Sequence, residues 1–176
     1  VLEFVSTWSS HGFGSVLLFL LFGTILTLVL QSSSATMAIT LIMLSMGWIP
    51  FGMACAMVLG ENIGTTITAN IAASIGNTQA KRAAMSHTIF NVFGVLWALI
   101  LFNPFLRLVG VVTENLFGLP NPAAEGFSVP GPTSPEGTAA LYGLSMLHTL
   151  FNMTNTLILV WFTGWIGKAV SYIIRT

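Results

Sequence analysis

An all-α membrane protein is predicted: a re-entrant helical hairpin, one broken transmembrane helix and two full transmembrane spans. Three observations carry that prediction. Hydrophobic residues make up 55% of the 176 and charged residues 6%, with a mean hydropathy of +0.89, whereas a soluble domain carries about 25% charged residues. The tetrad Gln31-Ser32-Ser33-Ser34 sits between two charge-free apolar runs, 14–30 and 35–49. A second polar insertion, Gly60-Glu61-Asn62-Ile63-Gly64-Thr65-Thr66, divides a further apolar stretch.

Composition also excludes. Net charge is zero, which argues against a nucleic-acid partner, and no basic run suggests a lipid-surface switch. Cys55 is the single cysteine, so neither a disulfide framework nor a cysteine metal cluster is expected, and no transition metal is implied. The chain opens on Val1 with no basic region ahead of its first apolar stretch. No signal peptide is read there, and the chain is consistent with an excerpt or processed product of something longer.

In chain order, residues 1–12 read as an interfacial lead-in in which Trp8 suits the headgroup zone. The hairpin spans 14–49. Its arms, roughly 25 and 22 Å long if helical, stop short of crossing a hydrocarbon core about 30 Å thick. The polar tip must therefore be buried in protein or line a wet cavity. Pro50 suits the first turn of the next helix, which is read as two short pieces, 51–59 and 67–75, broken at Gly60 to Thr66. Gly60 would end the first piece, and Thr65 or Thr66 would cap the second. Broken helices of this kind mark secondary transporters, in which freed carbonyls bind the cation and helix N-termini face the anion.

Residues 83–102 make a full span. Residues 103–138 are rich in Pro and Gly and read as a loop with one short helix around 106–117, and 139–165 as the last span. Lys81, Arg82, Lys168 and Arg175 fall on one side and Arg107 on the other, which places the 77–82 loop and the C-terminus in the cytoplasm and the 103–138 loop outside. One internal repeat stands out: His87-Thr88-Ile89-Phe90-Asn91 recurs as His148-Thr149-Leu150-Phe151-Asn152. In both copies His and Asn are four apart and share a helix face, which suggests a common interior surface with the imidazoles and amides as interhelical hydrogen-bonders.

The tetrad followed by Ala35, then Gly60-Glu61-Asn62-Ile63-Gly64-Thr65-Thr66, then His87 with Phe90-Asn91, resembles the sodium/phosphate cotransporter family. That family is marked by a QSSS motif and a G-x-N-I-G-T motif in each of two inverted repeats. The resemblance covers residues 14–102 and, more loosely, the last span. It implies half of an inverted-repeat transporter, with 1–102 as the transport repeat, which performs sodium-coupled symport of inorganic phosphate in a bacterial inner (plasma) membrane. Ser32, Ser33, Ser34, Thr65 and Thr66 would hold phosphate. Gln31, Ser32, Glu61, Asn62 and Thr65 would hold sodium, the coupling ion, with no organic cofactor. Because the chain has one copy of each motif, the second repeat would come from a homodimer mate, another chain or a missing stretch, with membrane lipid around both.

The chemistry of the residues agrees. Neither Lys nor Arg lies near the two polar insertions, so an anion there must be offset by helix N-termini, each worth up to about 2 kcal/mol when partly buried, and by a cation bound alongside. Sodium is a hard ion that prefers oxygen ligands of the kind Gln31, Asn62 and the hydroxyls supply. Glu61 is an ionisable group inside an apolar region, which points to function. A non-transporting structural or regulatory subunit built on one repeat is the alternative reading. An intramembrane hydrolase is not supported, since the chain has no G-x-S-x-G elbow and no Asp.

Overall fold

Helices of the computed structural model, which describes Thr7 and residues 12–175, begin where the polar punctuation ends. They are α1 (Phe13–Leu30), α2 (Ser33–Ser45), α3 (Phe51–Ala73), α4 (Thr78–Ile100), α5 (Phe102–Phe117), α6 (Pro135–Leu159) and α7 (Thr163–Ile173), with a short 3-10 turn, Val160–Phe162, joining the last two. No strand occurs among the described residues. The lead-in with Glu3, Trp8 and His11 lies outside them. Phe13–Leu30, Thr78–Ile100 and Pro135–Ile173 are long and apolar enough to cross a membrane.

The tetrad turns the chain between two helices, but α1, expected as an arm that stops short of crossing, is by length and composition a candidate span. Gln31 ends α1 in the left-handed region, φ 53°, at a cost of roughly 1–2 kcal/mol for a residue with a Cβ. Its N–H donates to Thr27 O at 2.7 Å. Ser32 then caps α2, accepting from the Ala35 N–H at 3.3 Å, so a two-residue corner reverses the chain.

The expected break at Gly60 to Thr66 is absent: α3 runs through it without interruption. Gly60 and Gly64 do not take positive φ. Four residues apart, they share one face, and that face lies on α1. A Cβ on Gly60 would meet Leu20 O, and one on Gly64 would lie 2.8 Å from Thr24 O. Gly23 on α1 answers them against Met57 O. This is the small-xxx-small packing of membrane helices, in which missing side chains let backbones approach. The Thr24 hydroxyl reaches Gly60 O at 3.0 Å across the contact. Nor do Thr65 and Thr66 cap a new helix. Their hydroxyls donate backwards, to Glu61 O and Ile63 O, both at 2.8 Å, which lets polar side chains sit in an unbroken helix.

Around the α1–α3 pair, α2 packs on α3, and α4 and α6 close the other side. The core runs through Leu44, Leu59, Leu144, Leu147 and Phe151. The span read at 83–102 starts five residues earlier, at Thr78, because Asn77 caps it through the Ala80 N–H at 2.9 Å. The 103–138 stretch is less of a loop than its composition suggests: α5 occupies its first part, ended by Gly118 at φ 65°. The last span starts at Pro135, where Ser134 caps it through the Gly137 N–H.

The α4–α6 contact is locked by a residue outside the repeated pentapeptide. Asn155, fully buried, donates to Phe90 O at 2.9 Å and accepts from Trp97 Nε1 at 3.4 Å, with Gly94 giving it room. Asn155→Ala is expected to destabilise the protein by about 1–2 kcal/mol through these hydrogen bonds and the space left behind, read as a lowered thermal midpoint in detergent. Asn152→Ala, whose amide bonds only within its own helix, is expected to leave that midpoint nearly unchanged.

Candidate functional site

A cavity of about 440 Å³ lies where the hairpin tip meets the polar stretch of α3. Ser33, Ser34, Met37, Ala38 and Leu41 of α2 form one wall, and Glu61, Asn62 and Thr65 of α3 another. The third comes from both copies of the repeat: His87, Phe90 and Asn91 of α4, with His148 and Asn152 of α6. Helical spacing explains each set. Ser34, Ala38 and Leu41 are four and three apart on α2, and Glu61, Asn62 and Thr65 are one and three apart on about one turn of α3.

Of the residues singled out in the sequence, Ser33, Ser34, Glu61, Asn62 and Thr65 converge on this space. Gln31, Ser32 and Thr66 are not among its lining residues. Gln31 is exposed at the corner, and Ser32 is engaged in capping and in a 3.1 Å hydroxyl contact with Ser34. Thr66 is buried with its hydroxyl on Ile63 O. The His and Asn residues of the repeat line one cavity from two helices, but they do not make the interhelical bonds expected of them. Asn91 and Asn152 donate to the carbonyls of His87 and His148, four residues back on their own helices.

Thr40 was not singled out by the sequence. Fully buried, it donates to Glu61 Oε1 at 3.0 Å, and its only sequence signal is a Thr36–Thr40 pair on the buried face of α2. Thr36 continues the line to α1, where it meets the Thr27 hydroxyl at 3.2 Å. A ladder of hydroxyls thus joins α1, α2 and the acid on α3. Buried polar groups need such partners, and no buried side-chain polar atom among the described residues lacks one.

The hydrogen bonds sort the walls chemically. Asn62 spends its amide nitrogen on Val58 O at 2.8 Å, and Thr65 spends its proton on Glu61 O. Both therefore keep oxygen lone pairs for the cavity, beside the Glu61 carboxyl. That wall accepts, and suits a hard cation. Opposite it, α2 begins at Ser33, where the first amides of a helix have no intrahelical partner and favour an anion. The Ser33 and Ser34 hydroxyls and the imidazoles of His87 and His148 add donors. Neither Lys nor Arg lines the space. With α3 unbroken, α2 supplies the single helix start at the site instead of the two expected.

Three relatives give context. The chain is 43% identical over 104 residues, 59% of its length, to the uncharacterized protein YqeW of Bacillus subtilis, covering 32% of that protein. It is 26% identical over 162 residues, 92% of its length, to a candidate inorganic phosphate export protein, YjbB, of Escherichia coli, covering 25% of it. It is 39% identical over 102 residues, 53% of its length, to the human sodium-dependent phosphate transport protein 2C, covering 17% of it. The chain thus spans a third or less of the length of these relatives. No solved structure is significantly similar to it. Residues 5–119 match the sequence model of the Na+/Pi-cotransporter family, and on that match, which takes in both polar motifs and the first copy of the repeat, the chain belongs to the Na+/Pi-cotransporter family.

Proposed function

We propose that this chain carries half of a sodium-coupled symporter of inorganic phosphate, with its substrate site in the α2–α3–α4–α6 cavity. The observation that carries the proposal is the convergence of a donor-rich helix start with an acceptor-rich helix face in one space free of Lys and Arg. Phosphate sits at Ser33 and Ser34. Sodium sits against Glu61, Asn62 and Thr65. Without a permanent cation in the wall, a helix N-terminus worth about 2 kcal/mol at best does not strip a doubly charged anion of its water, so sodium must bind for phosphate to bind. That requirement is the coupling.

Ser32 then acts as the cap that fixes the helix start, and Gln31 as the residue that turns the corner, with the tip re-entering the membrane between the spans. The walls named here leave Ser33, Ser34 and His148 exposed. A second repeat, from the remainder of a longer protein or from another copy, closes the site, and the 77–82 corner and the C-terminus face the cytoplasm. Ser33→Ala and Asn62→Ala are each expected to weaken sodium-stimulated phosphate binding about tenfold while leaving folded protein in the membrane. The check is labelled-phosphate binding to purified protein in sodium against choline. Unchanged binding in both variants refutes the site, and equal binding in the two salts refutes the coupling.

A further inference from the structure

Four of the five basic residues are scattered in sequence and gathered in the fold. Arg82, in the second turn of α4, donates from Nε to Ile174 O at 3.1 Å across 92 positions. That hydrogen bond brings Lys81 and Arg82 beside the end of α7, next to Arg175. One side of α7 packs on α4 through half-buried Ile166 and buried Val170. The other side is a stripe: Trp165, Lys168 and Tyr172, spaced three and four apart and so on one face, with Arg175, just past the end of the helix, reaching over the Tyr172 ring. Trp165 and Tyr172 are 76% and 74% exposed. Lys168 Nζ lies 6.0 Å from the centroid of the Trp165 ring, and Arg175 Cζ 5.4 Å from that of Tyr172. Neither α4 nor α7 carries a carboxylate. Among the described residues, Glu61 is in the cavity wall, and Glu114, Glu125 and Glu136 belong to α5, the following loop and the first turn of α6.

Aromatic rings with a polar edge settle at headgroup level, and a helix with one packed side and one aromatic–basic side lies in the interface. A cluster of cations with no carboxylate among them selects negative charge. We infer that the Trp165–Lys168–Tyr172 face of α7, with Arg175 just past its end and Lys81 and Arg82 beside it, binds the headgroups of anionic phospholipids at the membrane surface. The rings set the depth and the four cations take the phosphodiesters. This surface is separate from the transport cavity and independent of what that cavity holds.

The test uses the full chain in phosphatidylcholine vesicles doped with brominated phosphatidylglycerol or, at equal dilution, brominated phosphatidylcholine. The signal of Trp165 is the difference in quenching between wild type and Trp165→Phe. Each basic residue near an anionic surface is worth about fivefold in partitioning, so the glycerol lipid is expected to quench Trp165 at a several-fold lower mole fraction. Lys168→Gln with Arg175→Gln is expected to erase most of that preference, and Lys168→Arg with Arg175→Lys to keep it. Equal quenching by the two lipids overturns the inference. So does quenching by neither, and so does a preference that survives Lys168→Gln with Arg175→Gln.

Discussion

Gly60→Ala is expected to be the most disruptive single-methyl change in the chain. The added Cβ would fall on Leu20 O and within 2.9 Å of Thr24 N. These are backbone atoms of a neighbouring helix, so no rotamer relieves the clash, and α1 must move away from α3. Overpacking a close contact costs about 1–3 kcal/mol, occasionally more, and the upper end applies here. The displacement also lengthens the 3.0 Å bond from Thr24 to Gly60 O and opens the contact of Gly64 with Thr27. The contrasting change is Gly167→Ala on α7, where a Cβ meets nothing within 4 Å and helix propensity favours alanine by up to about 1 kcal/mol. Thermal unfolding in detergent should show Gly60→Ala with a sharply lowered midpoint or no folded protein, and Gly167→Ala at or above wild type. A Gly60→Ala protein as stable as wild type would mean that the helices do not meet there.

Glu61→Gln is expected to leave the fold intact and to remove the sodium requirement's main support. The substitution keeps size and shape, and an amide oxygen still accepts from Thr40, whose hydroxyl also reaches Thr36 O at 2.9 Å. What is lost is the one carboxyl group in the cavity wall, and with it the negative charge that group can offer a cation. Opposite charges about 4 Å apart interact by about 4 kcal/mol at an effective dielectric of about 20. Even a third of that, left after desolvation, is about tenfold in affinity. Sodium activation of phosphate uptake should therefore shift to concentrations at least about tenfold higher. Glu61→Ala should behave similarly, since Thr40 keeps its Thr36 partner. An unshifted sodium curve in Glu61→Gln would remove Glu61 from the cation site.

Much of this was legible in the residues, and the misreadings have physical causes. The hairpin corner was readable because polar side chains in an apolar run have few other reasons to be there. The gathering of Ser33 and Ser34 with Asn62 and Thr65 followed from the same logic. The helix break did not form because Gly-x-x-x-Gly is ambiguous. The same pair that frees a backbone in isolation lets two helices touch when a facing helix offers Gly23 and Thr24. The repeated His-Asn pairs are legible as one surface but not in their bonding, because an amide that bonds its own helix four residues back looks in sequence like one that bonds a neighbour. Asn155, which does make that bond, sits three residues beyond the repeat with no pattern to mark it. Thr40 gains its meaning from Glu61, 21 positions away. The sequence puts the four cations on one side of the membrane, but only the contact of Arg82 with Ile174, spanning 92 positions, brings them together.

In the proposed site, the start of α2 and the polar faces of α3, α4 and α6 hold phosphate between them when sodium is present. Single cysteines at Ser34→Cys and Asn152→Cys place a thiol on two different walls of the cavity, and the native Cys55 is fully buried. The rate of labelling by a small membrane-impermeant thiol reagent measures access to each. Phosphate with sodium is predicted to slow labelling at both positions, and phosphate in choline at neither. Protection at only one wall, protection that does not need sodium, or none at all would contradict the account.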